Sequence, residues 1–110
     1  MIIDSQTFLA RGQFVDLPGG LRTHYIDIPG RDIAAKTVIF VHGSGPGASG
    51  WSNFHANLQQ FADAGHRVVV YDLPGYGESD KPTDAMYTLD YFVDHLRDLI
   101  DYLTIDQAIL

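Results

Sequence analysis

The 110-residue chain contains no cysteine, which excludes a disulfide framework, a thiolate nucleophile and any Cys-based zinc or iron–sulfur site. Basic residues are scarce: seven Lys and Arg face fourteen Asp and Glu, a formal charge of -7. That balance repels an extended polyanion, so no nucleic acid partner is expected. Long hydrophobic runs are also missing. Although 45% of the residues are apolar, no stretch approaches the roughly 20 residues that span a bilayer. The start, MIIDSQTFLARG, lacks the basic end and sustained apolar run of a signal peptide. The chain therefore reads as a cytoplasmic protein without a membrane partner. It has no internal repeat, linker or low-complexity tract, and its length suits one domain or part of one.

What the chain does have is a regular alternation of strand and helix patterns. Gln13 to Leu17 and Leu21 to Ile28 flank Pro18-Gly19-Gly20, the turn chemistry of a β-hairpin. Pro29-Gly30-Arg31-Asp32 punctuates the exit. Thr37 to Val41 is a continuous apolar run that predicts a central parallel strand buried on both faces. Trp51, Phe54, Leu58, Phe61 and Ala62 recur at helical spacing, with Ser49 or Ser52 as a start cap and Gly65 as a left-handed stop. Arg67 to Tyr71 predicts a second buried strand. Leu89, Phe92, Val93, Leu96, Leu99, Ile100 and Leu103 mark the apolar face of a long helix, opposite Asp90, Asp94, Asp98 and Asp101. Gln107 to Leu110 reads as the opening of a third parallel strand. The order is that of an α/β fold with a mostly parallel sheet and helices on both faces.

In such sheets the working groups lie beyond the carboxyl ends of the strands. Two glycine-rich loops leave those ends here, His42 to Gly50 and Asp72 to Pro82. The first admits two chemistries. Gly43 to Ala48 satisfies G-x-G-x-x-A, with Asp72 about where a ribose-binding acid would stand. However, Pro46, Gly47 and Gly50 delay the helix that should meet the pyrophosphate. The other chemistry is an oxyanion hole, in which a side-chain-poor loop aims backbone N–H groups at charge developing on a carbonyl oxygen.

HGSGPGASGWSNF, followed by YDLPGYGESDKP at the end of the next strand, resembles the α/β-hydrolase fold. The run GPGASGWSN is most similar to the carbon–carbon bond hydrolases that cleave meta-ring-fission products of aromatic degradation. The resemblance covers nearly the whole chain. It implies that the Ser44 amide donates to the oxyanion and that the Ser44 hydroxyl contacts the substrate carbonyl or its hydrated form. Gly43, Gly45 and Asn53 would bind the small-molecule substrate near its polar dienoate end. His42 would hold the loop by hydrogen bonds, and Asp72, Gly75, Gly77 and Ser79 would support the site. The implied reaction adds water across a vinylogous diketone, giving a carboxylic acid and a 2-hydroxydienoate with no metal or organic cofactor. Esterases, epoxide hydrolases and haloalkane dehalogenases share the more general motifs and stay open as alternatives.

The chain departs from the family at the nucleophile, which sits in G-x-S-x-G. Ser44, Ser49, Ser52 and Ser79 each lack a glycine at one or both required positions. The 110 residues are thus read as the N-terminal part of one α/β-hydrolase domain, incomplete at Leu110, with nucleophile, acid, catalytic His and lid elsewhere. A truncated, non-catalytic product is the reading of a different class. The open sheet edge would favour self-association. Simpler roles compete at each position: turn glycines, a solvated Ser44 hydroxyl, Asn53 as a helix-start residue, the aspartates as a solvated face with Arg97 in reach of Asp94 and Asp101, and scattered histidines without ligand spacing.

Overall fold

The computed structural model describes residues 2–31 and 35–110; Asp32 of the expected turn lies outside them. The hairpin forms as its turn chemistry predicts. Strand β1 (Gln13–Asp16) pairs antiparallel with β2 (Arg22–Ile28), Gln13 facing Tyr25 and Asp16 facing Arg22. The turn closes through Gly20 N–H to Leu17 O at 2.8 Å, with Gly20 at φ +84°. β3 (Thr37–Phe40) and β4 (Arg67–Tyr71) pair in parallel, β4 also pairs antiparallel with β2, and the sheet order is β1-β2-β4-β3.

Valines 68 to 70 explain why β4 reads as an unbroken apolar run. Val68 and Val70 pack with Ile26, Val38 and Phe40 on one face, while Val69 and Tyr71 pack with Ile39, Tyr25 and Leu99 on the other. A strand buried on both faces has no polar alternation to display. The first face is covered by α1 (Ser5–Arg11), α2 (Gly50–Phe54) and α3 (Leu58–Asp63), the second by α4 (Leu89–Tyr102). Arg67 ties the layers, holding both Asp27 carboxylate oxygens at 2.9 and 2.7 Å and the Leu103 carbonyl at 3.2 Å.

Several expectations need correction. The N-terminal segment is helical: Asp4 accepts from Thr7 N–H at 2.8 Å as an N-cap, and Phe8 packs on Trp51. The pattern from Trp51 to Ala62 is two helices, not one. The His55 ring and backbone amide both engage the Trp51 carbonyl, and Asn57 N–H turns back to Phe54 O at 2.8 Å, so the ladder is interrupted. On α4 the most buried residues are His95 and Leu99, whereas Leu89 and Val93 are 79% and 44% exposed. Of the two partners read for Arg97, Asp94 is the one within reach, at 3.4 Å. The third parallel strand is present as a bridge beside β3, with Ile39 N–H to Ile109 O at 2.8 Å and Ile109 N–H to Thr37 O at 2.9 Å. Gly65, at φ +89°, ends α3 as read: its amide bonds Ala62 O and His66 N–H bonds Phe61 O.

Burial pushes the His95 imidazole down to about 4, while its Nε2 meets Thr23 Oγ1 at 2.8 Å. The folded state therefore resists protonation where an unfolded His near 6.5 accepts it. Below the unfolded value the unfolded chain binds more protons, so stability falls as pH drops from about 6.5 toward 4. A thermal melting series across this window should show that decline. His95→Leu should flatten it, even though it leaves Thr23 unpaired and lowers stability overall.

Candidate active site

The loop after β3 is built so that its carbonyls are occupied. His42 is buried, and its Nε2 accepts from Leu73 N–H at 3.0 Å. This assigns the proton to Nδ1, which donates to Gly43 O at 2.6 Å. Ser44 O accepts from the Tyr76 hydroxyl at 2.8 Å. Gly45 O accepts from Ala48 N–H at 3.0 Å in a turn with Pro46 second and Gly47, at φ +76°, third, the positions a type II turn demands. Across a trans peptide the N–H points away from the preceding carbonyl. Holding Gly43 O and Ser44 O therefore turns the Ser44 and Gly45 amides outward, and among the described residues nothing accepts from them. Pro46 has no N–H to add.

Helix α2 starts where this loop ends. Ser49 caps it, accepting from Ser52 N–H at 3.1 Å while Ser52 Oγ accepts from Ser49 N–H at 2.9 Å. Between the two alternatives for the cap, the structure assigns Ser49 as N-cap and Ser52 as its reciprocal partner. Gly50 permits the close approach of α2 to β4, because an added methyl group would lie 2.5 Å from Val70 Cγ1. Asn53, on the first turn, is exposed and adjoins the loop: a methyl group added at Gly43 would lie 3.8 Å from its Nδ2.

Asp72 joins the two loops. It leaves the end of β4 opposite His24, because the β2–β4 register that pairs Tyr25 with Tyr71 continues one step. One carboxylate oxygen accepts from Gly50 N–H at 2.8 Å; the other meets His24 Nδ1 and Glu78 N–H, each at 3.0 Å. Ser79 completes the knot, accepting from His24 N–H at 2.9 Å and donating to Asp72 O at 2.7 Å. Burial alone would raise the Asp72 pKa. The opposing hydrogen bonds from His24, Glu78 and Gly50, together with the attraction of the His24 charge, outweigh it and hold the carboxyl below its ordinary value.

Gly75 and Gly77 both have positive φ, +89° and +53°. A methyl group at Gly77 would collide with the Asp72 carboxylate. Gly77→Ala is expected to cost about 2–3 kcal/mol, combining left-handed strain of about 1–2 kcal/mol with partial loss of the Asp72 bonds. Denaturant unfolding checks it. A midpoint within error of the parent would contradict this geometry.

Beside Ser44 opens a cavity of about 360 Å³, bordered by Val41, Tyr71, Leu73, Phe92 and Leu96. It is mostly apolar, and the buried Tyr71 hydroxyl has no partner among the described residues, its pKa raised by burial. The structure thus brings His42, Gly43, Ser44, Gly45 and Asn53 together, with Asp72, Gly75, Gly77 and Ser79 behind them. The α4 aspartates stay outside this cluster; Asp94 and Asp98, with His95, border a separate cavity. Among the described residues no group of three His, Cys, Asp or Glu side chains is placed to hold a metal ion, and no helix is long and apolar enough to cross a membrane. Sequence reasoning missed Tyr76 and His24. The one local signal for Tyr76 is its place between Gly75 and Gly77; His24 has none without the strand register.

Comparison with known proteins agrees with this architecture. The family described as Alpha/beta hydrolase family matches residues 38–110. The chain belongs to that family. This alpha/beta hydrolase chain is similar to the 2-hydroxy-6-oxononadienedioate/2-hydroxy-6-oxononatrienedioate hydrolase of Klebsiella pneumoniae subsp. pneumoniae, 37% identical over 98% of this chain and 38% of that protein. The protein of that name from Paraburkholderia phymatum is 40% identical over 94% of this chain and 36% of its own length. Among solved structures, the meta-cleavage product hydrolase from Pseudomonas fluorescens IP01 superimposes with a TM-score of 0.78 at 32% identity, covering 91% of this chain and 35% of that one. The haloalkane dehalogenase DpaA from Paraglaciecola agarilytica NO2, described as tetrameric, gives 0.75 at 36% identity, over 90% and 33%. The alpha/beta hydrolase chain thus spans about a third of the length of the curated relatives it matches.

Proposed function

We propose that residues 1–110 are the N-terminal part of a single alpha/beta-hydrolase domain and supply its oxyanion-hole loop. The reaction is hydrolysis of a carbon–carbon bond in a 2-hydroxy-6-oxo-dienoate. The observation that carries this is the loop with held carbonyls and two open amides beside an apolar cavity. Backbone donors fixed before reaction stabilise developing charge without reorganising. In this reading the Ser44 N–H meets the oxyanion, while Gly43, Gly45 and Asn53 border the dienoate end. His42, Asp72, Gly75, Gly77 and Ser79 keep the two loops in register. The dienol first tautomerises to the 2-oxo form, which places its proton on the carbon next to the ketone. Water then adds to the ketone, the carbon–carbon bond breaks, and the electron pair passes through the double bond onto the 2-oxo group, leaving a carboxylic acid and a 2-hydroxydienoate. No metal or organic cofactor takes part. The 110 residues contain no Gly-x-Ser-x-Gly, and in this reading another segment supplies the nucleophile.

The substrate is a small molecule, and the excess of acidic residues disfavours nucleic acid. Cytoplasmic residence belongs to the same proposal. So does self-association of the isolated chain, through the edge of β3, which carries a single bridge at Val38, and through exposed Val41, Leu89 and Val93.

The likeness to a haloalkane dehalogenase supports a second reading, with an Asp nucleophile acting on haloalkanes. A chimeric full-length hydrolase tests whether residues 1–110 supply a working oxyanion-hole loop to a dienoate hydrolase. It joins residues 1–110 to the part of the Klebsiella relative beyond its matched segment and is assayed on a dienoate, an epoxide and a haloalkane. Turnover of the dienoate above the other two supports the proposal. Dienoate inactivity in a folded chimera contradicts it.

A further inference from the structure

We infer that Tyr76 is a positioning residue for the reaction proposed above: its hydroxyl, by holding the Ser44 carbonyl, aims the Gly45 amide to the same side as the Ser44 amide. The inference rests on the oxyanion-hole reading and extends it to a side chain of the second loop. Tyr76 donates to Ser44 O at 2.8 Å, and His42 donates to Gly43 O at 2.6 Å. The two rings touch edge to face, with centroids 5.3 Å apart and planes at 72°. Two successive carbonyls are therefore drawn toward one aromatic pair. In extended chain successive peptides point in opposite directions. Here both carbonyls face the His42–Tyr76 pair, so both following N–H groups face away from it, which makes a two-donor anion site of backbone alone.

Each half of this clamp is anchored by backbone behind it. The His42 ring is fixed from behind by Leu73 N–H, while Tyr76 sits between two glycines of positive φ that turn the second loop back toward the first. Tyr76 N–H also bonds Leu73 O at 3.0 Å, so the residue that orients His42 also sets the base of Tyr76. Without the hydroxyl, the peptide between Ser44 and Gly45 keeps no hydrogen bond to the described residues, and the chain after it is restrained by the turn from Gly45 O to Ala48 and by Ser52 Oγ, which donates to Gly47 O at 3.1 Å. The second donor then loses the bond that fixes its direction, and the first loses its constraint on one side.

Tyr76→Phe removes the hydroxyl and keeps the ring on His42. In the chimera it should lower kcat roughly tenfold, less than the hundredfold or more that deleting a donor costs. KM and melting temperature should stay near those of the parent, because the bond is exposed and the ring packing is retained. A merely structural residue would shift the melting temperature and leave kcat per folded molecule unchanged, and that result overturns the inference. p-Nitrophenyl acetate provides a second substrate. A chimera that hydrolyses the ester and ignores the dienoate contradicts the proposed substrate, while the kcat ratio of Tyr76→Phe on the ester still decides the clamp. Amide nitrogen relaxation decides it without turnover. Greater mobility at Gly45 than in β3 on substitution supports the clamp, and unchanged Gly45 relaxation overturns it.

Discussion

Replacing the Ser44 amide with an ester, by incorporating the α-hydroxy analogue of serine, is expected to lower kcat of the chimera by about 10²–10³. The replacement deletes one N–H and leaves the side chain in place. That N–H is the group the loop presents: the carbonyl before it is held by His42 and the carbonyl after it by Tyr76. Ser44→Ala makes the opposite change, removing the hydroxyl and keeping the amide, and should lower kcat far less than the ester does. If the hydroxyl did the work, the ranking would reverse. Because the bond lost serves charge that develops only in the transition state, the loss belongs in kcat rather than KM.

Asp72→Asn should destabilise the fold by about 3 kcal/mol, the upper end for leaving a buried hydrogen-bonding group unsatisfied. The two residues have the same shape, so the effect is one of donors and acceptors. One Asp72 oxygen receives Gly50 N–H and the other receives Glu78 N–H. Either orientation of the amide therefore sets its NH₂ against a backbone N–H that cannot change its own role, and an unsatisfied buried donor is costly. The pH dependence stems from the lowered Asp72 pKa. A depressed carboxyl contributes stability that is fully present above its unfolded value near 4 and is lost as pH falls through the folded value. The gap between parent and Asp72→Asn should thus be widest at neutral pH and close in acid. Urea unfolding at several pH values measures it; a constant gap would mean the charge is not what Asp72 contributes.

The strands and the hairpin were legible because each carries its own signal: Pro18-Gly19-Gly20 at the turn, and β-branched residues buried on both faces in β3 and β4. α1 was not, since seven residues that bury only Phe8 leave no periodicity to read. The break between α2 and α3 lies where Asn57 N–H turns back three residues to Phe54 O, a backbone choice that an apolar pattern does not register. On α4 the apolar stripe was visible, but the part of it that meets the sheet was not, so a histidine occupies a buried position and Leu89 an exposed one.

At the site, composition revealed the two loops and their glycines. The bonds between them were hidden, because Tyr76 lies 32 residues from Ser44, and His24 lies 48 from Asp72. Those pairs arise from strand order and register, which local spacing does not encode.

The most direct test of the oxyanion-hole account is a crystal structure of the chimera with a boronic acid bound as a tetrahedral mimic. The account predicts one boronate oxygen about 2.7–3.1 Å from the Ser44 nitrogen, with the Tyr76 hydroxyl still on the Ser44 carbonyl. A boronate whose oxygens lie beyond hydrogen-bond reach of that nitrogen, or a loop turned so that the Ser44 carbonyl faces the ligand, would contradict it.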